Sequence, residues 1–248
     1  MPRAVPAARS LPRSFNTYAD LIAYASAIAA DQSALDQRML EAKSQLNALM
    51  PVLGAVNTAT PRGGALFDVD AATISRARAD VPALTARARA LSKTLSDLSA
   101  AGALTAEPTP WRMPTQGEIT QPFGPTSLWV EPGREYQGTS YAHFHDGVDI
   151  AGPWQAVIVA PARGRVVFVG RMMDGAEVVV LAHDGGLVSM YVHLDAWQSP
   201  PPVAAGDEVA AGQKIGTQGL TGIVTGQHLH WSVYRNGTLI DPLSLLPN

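Results

Sequence analysis

Two kinds of hydrophobic spacing divide the chain. From Thr17 to Met50, Leu21, Ile28, Leu35, Ala42 and Leu49 recur every seven residues, with Ala25, Gln32, Met39 and Leu46 at the alternate positions. A second seam, Ile74, Ala77, Val81, Leu84, Ala88, Leu91, Leu95 and Leu98, keeps spacings of three and four. Stripes this narrow belong to coiled-coil seams rather than to broad core-facing surfaces. The pattern predicts an Ala-rich, closely packed antiparallel helical hairpin over residues 17–101, behind a flexible N-terminus at 1–16. Pro51 is expected to end the first helix. Asp68 or Asp70 is placed to cap the second, and Pro82 to kink it or to delay its start to Val81. The intervening PVLGAVNTATPRGGALF reads as a reversing loop. Such a hairpin is either a spacer or an arm that covers or positions the C-terminal domain, and its seam offers a surface for a protein partner or for self-association.

The period then changes. GALTAEPTP begins a linker over 102–112, where Gly102 stops the helix and prolines stiffen the chain. Beyond it, GRVVFVG (164–170), EVVVLAH (177–183) and LVSMYVHL (187–194) are β-branched and aromatic runs bounded by glycines. Asp184-Gly185-Gly186 supplies the positive φ of a hairpin turn. Residues 113–248 are therefore expected to form an all-β antiparallel domain, which makes the whole chain α+β.

Composition narrows the chemistry. At 248 residues and 46% hydrophobic, the chain can bury a core. Its formal charge of −3 gives no electrostatic basis for binding nucleic acid. No apolar run is long enough to span a bilayer. The absence of cysteine removes thiol nucleophiles and cysteine-ligated zinc, and fits an oxidising compartment. The start, MPRAVPAARSLPRS, has three arginines but no apolar stretch of a signal peptide, so an export signal has been removed or export takes another route.

All six histidines, His143, His145, His183, His193, His228 and His230, lie in the C-terminal part. In HFHDGVDIAG, His145 and Asp149 share a face if the segment is one extended strand, as do His228 and His230 in QHLHWSVY. With His193 of YVHL between them, a carboxylate and three or four imidazoles from separate strands could converge on one ion. Imidazole and carboxylate suit Zn²⁺, and a catalytic site takes three protein ligands and leaves a fourth position open.

These segments resemble a known family. HDGVDI is similar to the HxGxD motif of the lysostaphin/LytM-type zinc metallopeptidases, family M23. YVHL resembles their middle histidine motif, and TGIVTGQHLHWSVYRNG their HLH signature, in family order over about residues 115–248. The resemblance implies a small antiparallel β-domain with one Zn²⁺ per chain in an open groove. His145, Asp149 and His230 would be the ligands, and His193 and His228 the catalytic pair. It further implies a zinc metalloendopeptidase that uses polarised water to cleave stem or cross-bridge peptides of bacterial peptidoglycan, hence a periplasmic or secreted place in the cell envelope. Gln227 departs from the family's usual proline, Tyr141 is only a candidate for its groove tyrosine, and His143 competes with His145 by position. His183 reads as structural. Two other functions compete: a non-catalytic LytM-type regulator of other wall hydrolases, and a biotinyl- or lipoyl-type carrier. The carrier lacks support because Lys214 sits inside a strand-like run instead of at a hairpin tip.

Overall fold

The computed structural model describes residues 15–58, 71–105 and 108–247. Asp68, Asp70 and most of the predicted N-terminal segment lie outside the described residues. Two helices, α1 (Tyr18–Thr58) and α2 (Ala71–Ala100), precede a β-domain. Thr17 starts α1: its hydroxyl accepts from the Asp20 N–H (3.1 Å), an N-cap bond, and donates to the Asp20 carboxylate (2.8 Å). Neither proline ends or splits its helix. Pro51 lies inside α1 and Pro82 inside α2, and both are exposed, so the carbonyl each deprives of a donor can turn to water.

The chain divides into two compact units, with one boundary inside the linker expected at 102–112 and the other inside α1. Described residues up to Ser33 and from Leu104 onward form one unit, and 34–103 the other. In the second, Met39, Leu98 and Ala103 form a small core flanked by Leu35 and Leu95.

In the first unit the expected linker is tied down. Leu104 is fully buried, Thr105 donates its N–H to Glu208 (2.6 Å), and the Arg112 N–H donates to the Pro161 carbonyl (3.1 Å). Eight strands make the principal sheet: β1 (Glu118–Gln121), β2 (Val148–Ala151), β3 (Gly164–Arg171), β4 (Glu177–Ala182), β5 (Leu187–Val192), β6 (Glu208–Val209), β7 (Leu229–Arg235) and β8 (Thr238–Ile240). Their antiparallel order is β1-β2-β7-β5-β4-β3-β6, with β8 beside β7. Gly185 and Gly186 turn β4 into β5 at φ 68° and 69°.

Strand alternation sends side chains to two cores. Val148, Ile150, Val179, Leu181, Tyr191, Trp231 and Val233 fill one face, against which Trp111 packs. The opposite face carries Val178, Val180, Val188, Met190, Val192 and Tyr234, and is covered by Leu21, Ile22, Ala25 and Ala29 of α1. Burial of Leu21 and Ile22 stabilises this packing by about 1.5–3 kcal/mol each. The first turns of α1 thus belong to the β-domain's own core.

Candidate metal centre

The groove is set by the register of three adjacent strands. Asp149 of β2 pairs with His230 of β7, and His230 pairs with Val192 of β5. Their neighbours Val148, Ile150, Leu229 and Trp231 point into the first core, so Asp149 and His230 project side by side from the other face. His145 arrives from elsewhere. The segment expected to be one strand is two: Phe144–His145 pairs with Gly124–Pro125, whereas Val148–Ala151 joins the principal sheet. The bend between them passes through Gly147, where an added Cβ would lie 2.7 Å from both the His230 ring and the Trp231 carbonyl oxygen. Only glycine lets the chain cross there.

Three donor atoms converge. His145 Nε2 is 3.1 Å from His230 Nδ1 and 3.2 Å from Asp149 Oδ1, and His230 Nδ1 is 3.0 Å from Asp149 Oδ1. Ligands at tetrahedral zinc distances stand about 3.3 Å apart, so the triangle fits such an ion. The Pro122 carbonyl can only accept, so its 3.0 Å contact puts the His145 hydrogen on Nδ1 and turns the Nε2 lone pair into the triangle. Burial opposes charge on Asp149, but hydrogen bonds from His145 and His230 and their charges outweigh it and hold the carboxyl well below its usual range. Burial alone would also lower His230. Hydrogen bonds to Asp146 and Asp149, reinforced by their charges, instead push it up to about 10. Without a metal a proton on His230 reconciles the two carboxylates; a cation in the triangle would replace it.

Two further imidazoles stand beside the triangle. The His193 and His228 rings are 4.9 Å apart, His193 is 6.2 Å from the His230 ring, and His228 Nε2 is 3.6 Å from Asp149 Oδ2. His193 follows the last residue of β5, where alternation alone would turn it toward the opposite core. It adopts φ 70° instead, a left-handed conformation rare for a non-glycine residue, and so reaches the groove. Each ring leans on a carbonyl through Nδ1, His193 on Thr221 (2.8 Å) and His228 on Gly226 (2.9 Å), which leaves Nε2 as the proton-accepting atom. Burial, with the nearby His230 and His228, pushes His193 down to about 4 against the opposing pull of the Thr221 carbonyl and Asp149. It is neutral at pH 7.

The sequence pattern of Peptidase family M23 matches residues 143–242, the span that holds all five of these side chains. This part of the chain belongs to peptidase family M23. The M23 domain has relatives of differing description. Over 138 residues the chain is 34% identical to the murein hydrolase activator NlpD of Escherichia coli (strain K12), a match covering 55% of this chain and 31% of that protein. Over 101 residues it is 35% identical to the DD-carboxypeptidase/endopeptidase Mpg of Neisseria meningitidis serogroup B, covering 41% and 22% respectively. The chain thus spans about a third of these relatives, or less. The catalytic domain of the antimicrobial peptidase lysostaphin from Staphylococcus simulans aligns with 52% of this chain and 90% of its own, at 28% identity and a TM-score of 0.42.

Other residues singled out in the sequence fall outside the triangle. His143 bonds through Nδ1 to the Glu131 carbonyl (2.7 Å) and is not in the metal-binding group of His145, Asp149 and His230 found among the described residues. Buried His183 is a structural relay, joined to the Arg163 carbonyl and through Ser189 to Tyr191. Tyr141 packs against Phe144 (5.5 Å between ring centres). One residue escaped the sequence reading. Asp146 holds an oxygen 3.4 Å from His230 Nε2 and is itself gripped by Arg134 (2.6 Å). Its only signal was its place beside His145, in the variable position of the motif.

Proposed function

We propose that this chain is a zinc-dependent endopeptidase that hydrolyses peptide bonds in the stem or cross-bridge peptides of bacterial peptidoglycan in the cell envelope. One observation carries the reading: a complete three-donor triangle and two carbonyl-anchored imidazoles occupy a single groove. His145, Asp149 and His230 would hold one Zn²⁺ per chain. When bound, zinc supplies a Lewis acid that makes water nucleophilic at neutral pH. His193 and His228 offer Nε2 atoms that can take a proton from the attacking water or, once protonated, donate to the tetrahedral oxyanion and the leaving amine. Their Nδ1 anchors fix the tautomer before substrate arrives. Asp146 accepts from His230 Nε2–H and keeps the His230 Nδ1 lone pair available.

The similarity to an activator named for murein hydrolases favours a second reading, in which the chain stimulates another wall hydrolase instead of cutting. Zinc content after dialysis, measured beside peptidoglycan turnover with muropeptides identified by mass spectrometry, separates the two. Under the peptidase reading His230→Ala loses both zinc and turnover. His193→Ala and His228→Ala keep zinc and lose about 10²-fold or more in rate. Full turnover in all three variants, or none in the zinc-loaded parent, rejects it.

A further inference from the structure

Trp154 and Trp197 stand largely in solvent, 62% and 69% exposed, on backbone that is held from several sides. Gln155, next to Trp154, donates from Nε2 to Asp195 Oδ2 (2.8 Å) and to Gln198 Oε1 (2.8 Å). Asp195 in turn accepts from the N–H groups of Trp197 (2.9 Å), Gln198 (3.2 Å) and Ser199 (2.9 Å). The two indole-bearing loops are therefore fastened to each other. They are also fastened to the groove: the Gln155 N–H donates to Gln227 Oε1 (3.1 Å), and Gln227 Nε2 donates to the Pro153 carbonyl (2.8 Å). Gln227 immediately precedes His228, and a proline there could make neither bond. Gln155 itself is held at φ 55°, an unfavourable conformation for a non-glycine residue that these bonds sustain.

The chemistry of the rim selects a ligand class. The Arg171 guanidinium lies over the Trp197 ring at 5.2 Å, while the residue as a whole stays 69% exposed. The Asp195 carboxylate is satisfied within the network, whereas Gln155 Oε1 and Gln198 Nε2 make no bond in it, so a neutral amide acceptor and a neutral amide donor remain beside the indoles. Flat aromatic faces beside neutral amides match a pyranose ring, whose C–H face stacks on an indole while its hydroxyl and acetamido groups exchange hydrogen bonds with amides. Loops fastened in advance also lose little freedom on binding.

We propose that Trp154 and Trp197, clamped by Gln155, Asp195 and Gln227, form a saccharide-binding rim that takes an N-acetylated amino-sugar chain beside the peptide groove. The inference rests on the peptidoglycan reading for the source of such a chain. Its test is binding rather than cleavage. The full chain, zinc-loaded, is titrated with a β-1,4-linked N-acetylglucosamine tetramer by calorimetry and tryptophan fluorescence. Trp154→Ala and Trp197→Ala are each expected to weaken binding about tenfold, and Trp154→Phe to restore part of it. Trp129→Ala, at another exposed tryptophan outside the network, is expected to bind as the parent does. No binding by the parent, or equal loss in Trp129→Ala, overturns the rim. Cleavage of wall peptides without saccharide binding rejects the rim alone. Saccharide binding without any cleavage supports the rim and rejects the peptidase reading.

Discussion

At the scale of single residues, the groups around the donor triangle make claims as testable as the triangle itself. Asp146→Asn keeps the shape of the side chain but weakens the acceptor facing His230, so zinc affinity is expected to fall about 10- to 100-fold in a chelator competition. An unchanged affinity would deny Asp146 its positioning role. Gly147→Ala drives a methyl group against the His230 ring and the Trp231 carbonyl; zinc content and thermal stability should fall together. His183 gives a pH signature away from the groove. Burial pushes it from 6.5 down to about 4. Between those values the unfolded chain takes up a proton that the native protein refuses, so stability present above pH 6.5 is lost as pH falls to 4, by up to about 3 kcal/mol. Urea midpoints at neutral and acid pH should draw closer together in His183→Gln; an identical pH slope would contradict this. The motif residues were legible because their spacing survives in the one-dimensional string. The route of His193 into the groove was not: it depends on a backbone angle that no residue type at that position announces.

At the scale of elements, the strands from Gly164 to Val192 were readable because β-branched alternation and glycine turns agree locally. The two prolines misled, because their effect depends on whether the freed carbonyl meets water, which is a matter of burial. The partner of α1 was also hidden. Leu21 and Ala25 fit a heptad seam whether they face a helix or a sheet, and here they face the sheet. Leu21→Ala should therefore destabilise the β-domain by about 2–5 kcal/mol in urea unfolding, a cavity cost in a core that spans both element types. A fragment beginning at Trp111, which the linker composition invites, would uncover Val178, Val180, Val188 and Met190. It is expected to bind a hydrophobic dye and to aggregate, whereas a soluble, zinc-binding fragment would show that α1 is dispensable.

At the scale of the whole molecule, α1 is one helix whose residues belong to two compact units of unequal core. The unit at 34–103 has a small cluster around Met39 and Leu98, while the other has two large ones. On heating, the helical signal in far-ultraviolet circular dichroism is expected to decline before tryptophan fluorescence changes; coincident transitions would mean that the helix binds both units into one cooperative block. This comparison is possible because all five tryptophans lie at or beyond Trp111, none of them within 34–103. Their placement makes the chain its own set of optical labels. Trp231, sealed in the interior, emits as a fold sensor at the blue end; Trp154 and Trp197, open to water, emit toward the red and yield to soluble quenchers. A ligand seated on the rim should shift only the red component, so occupancy and unfolding would be read as two colours from one unlabelled sample.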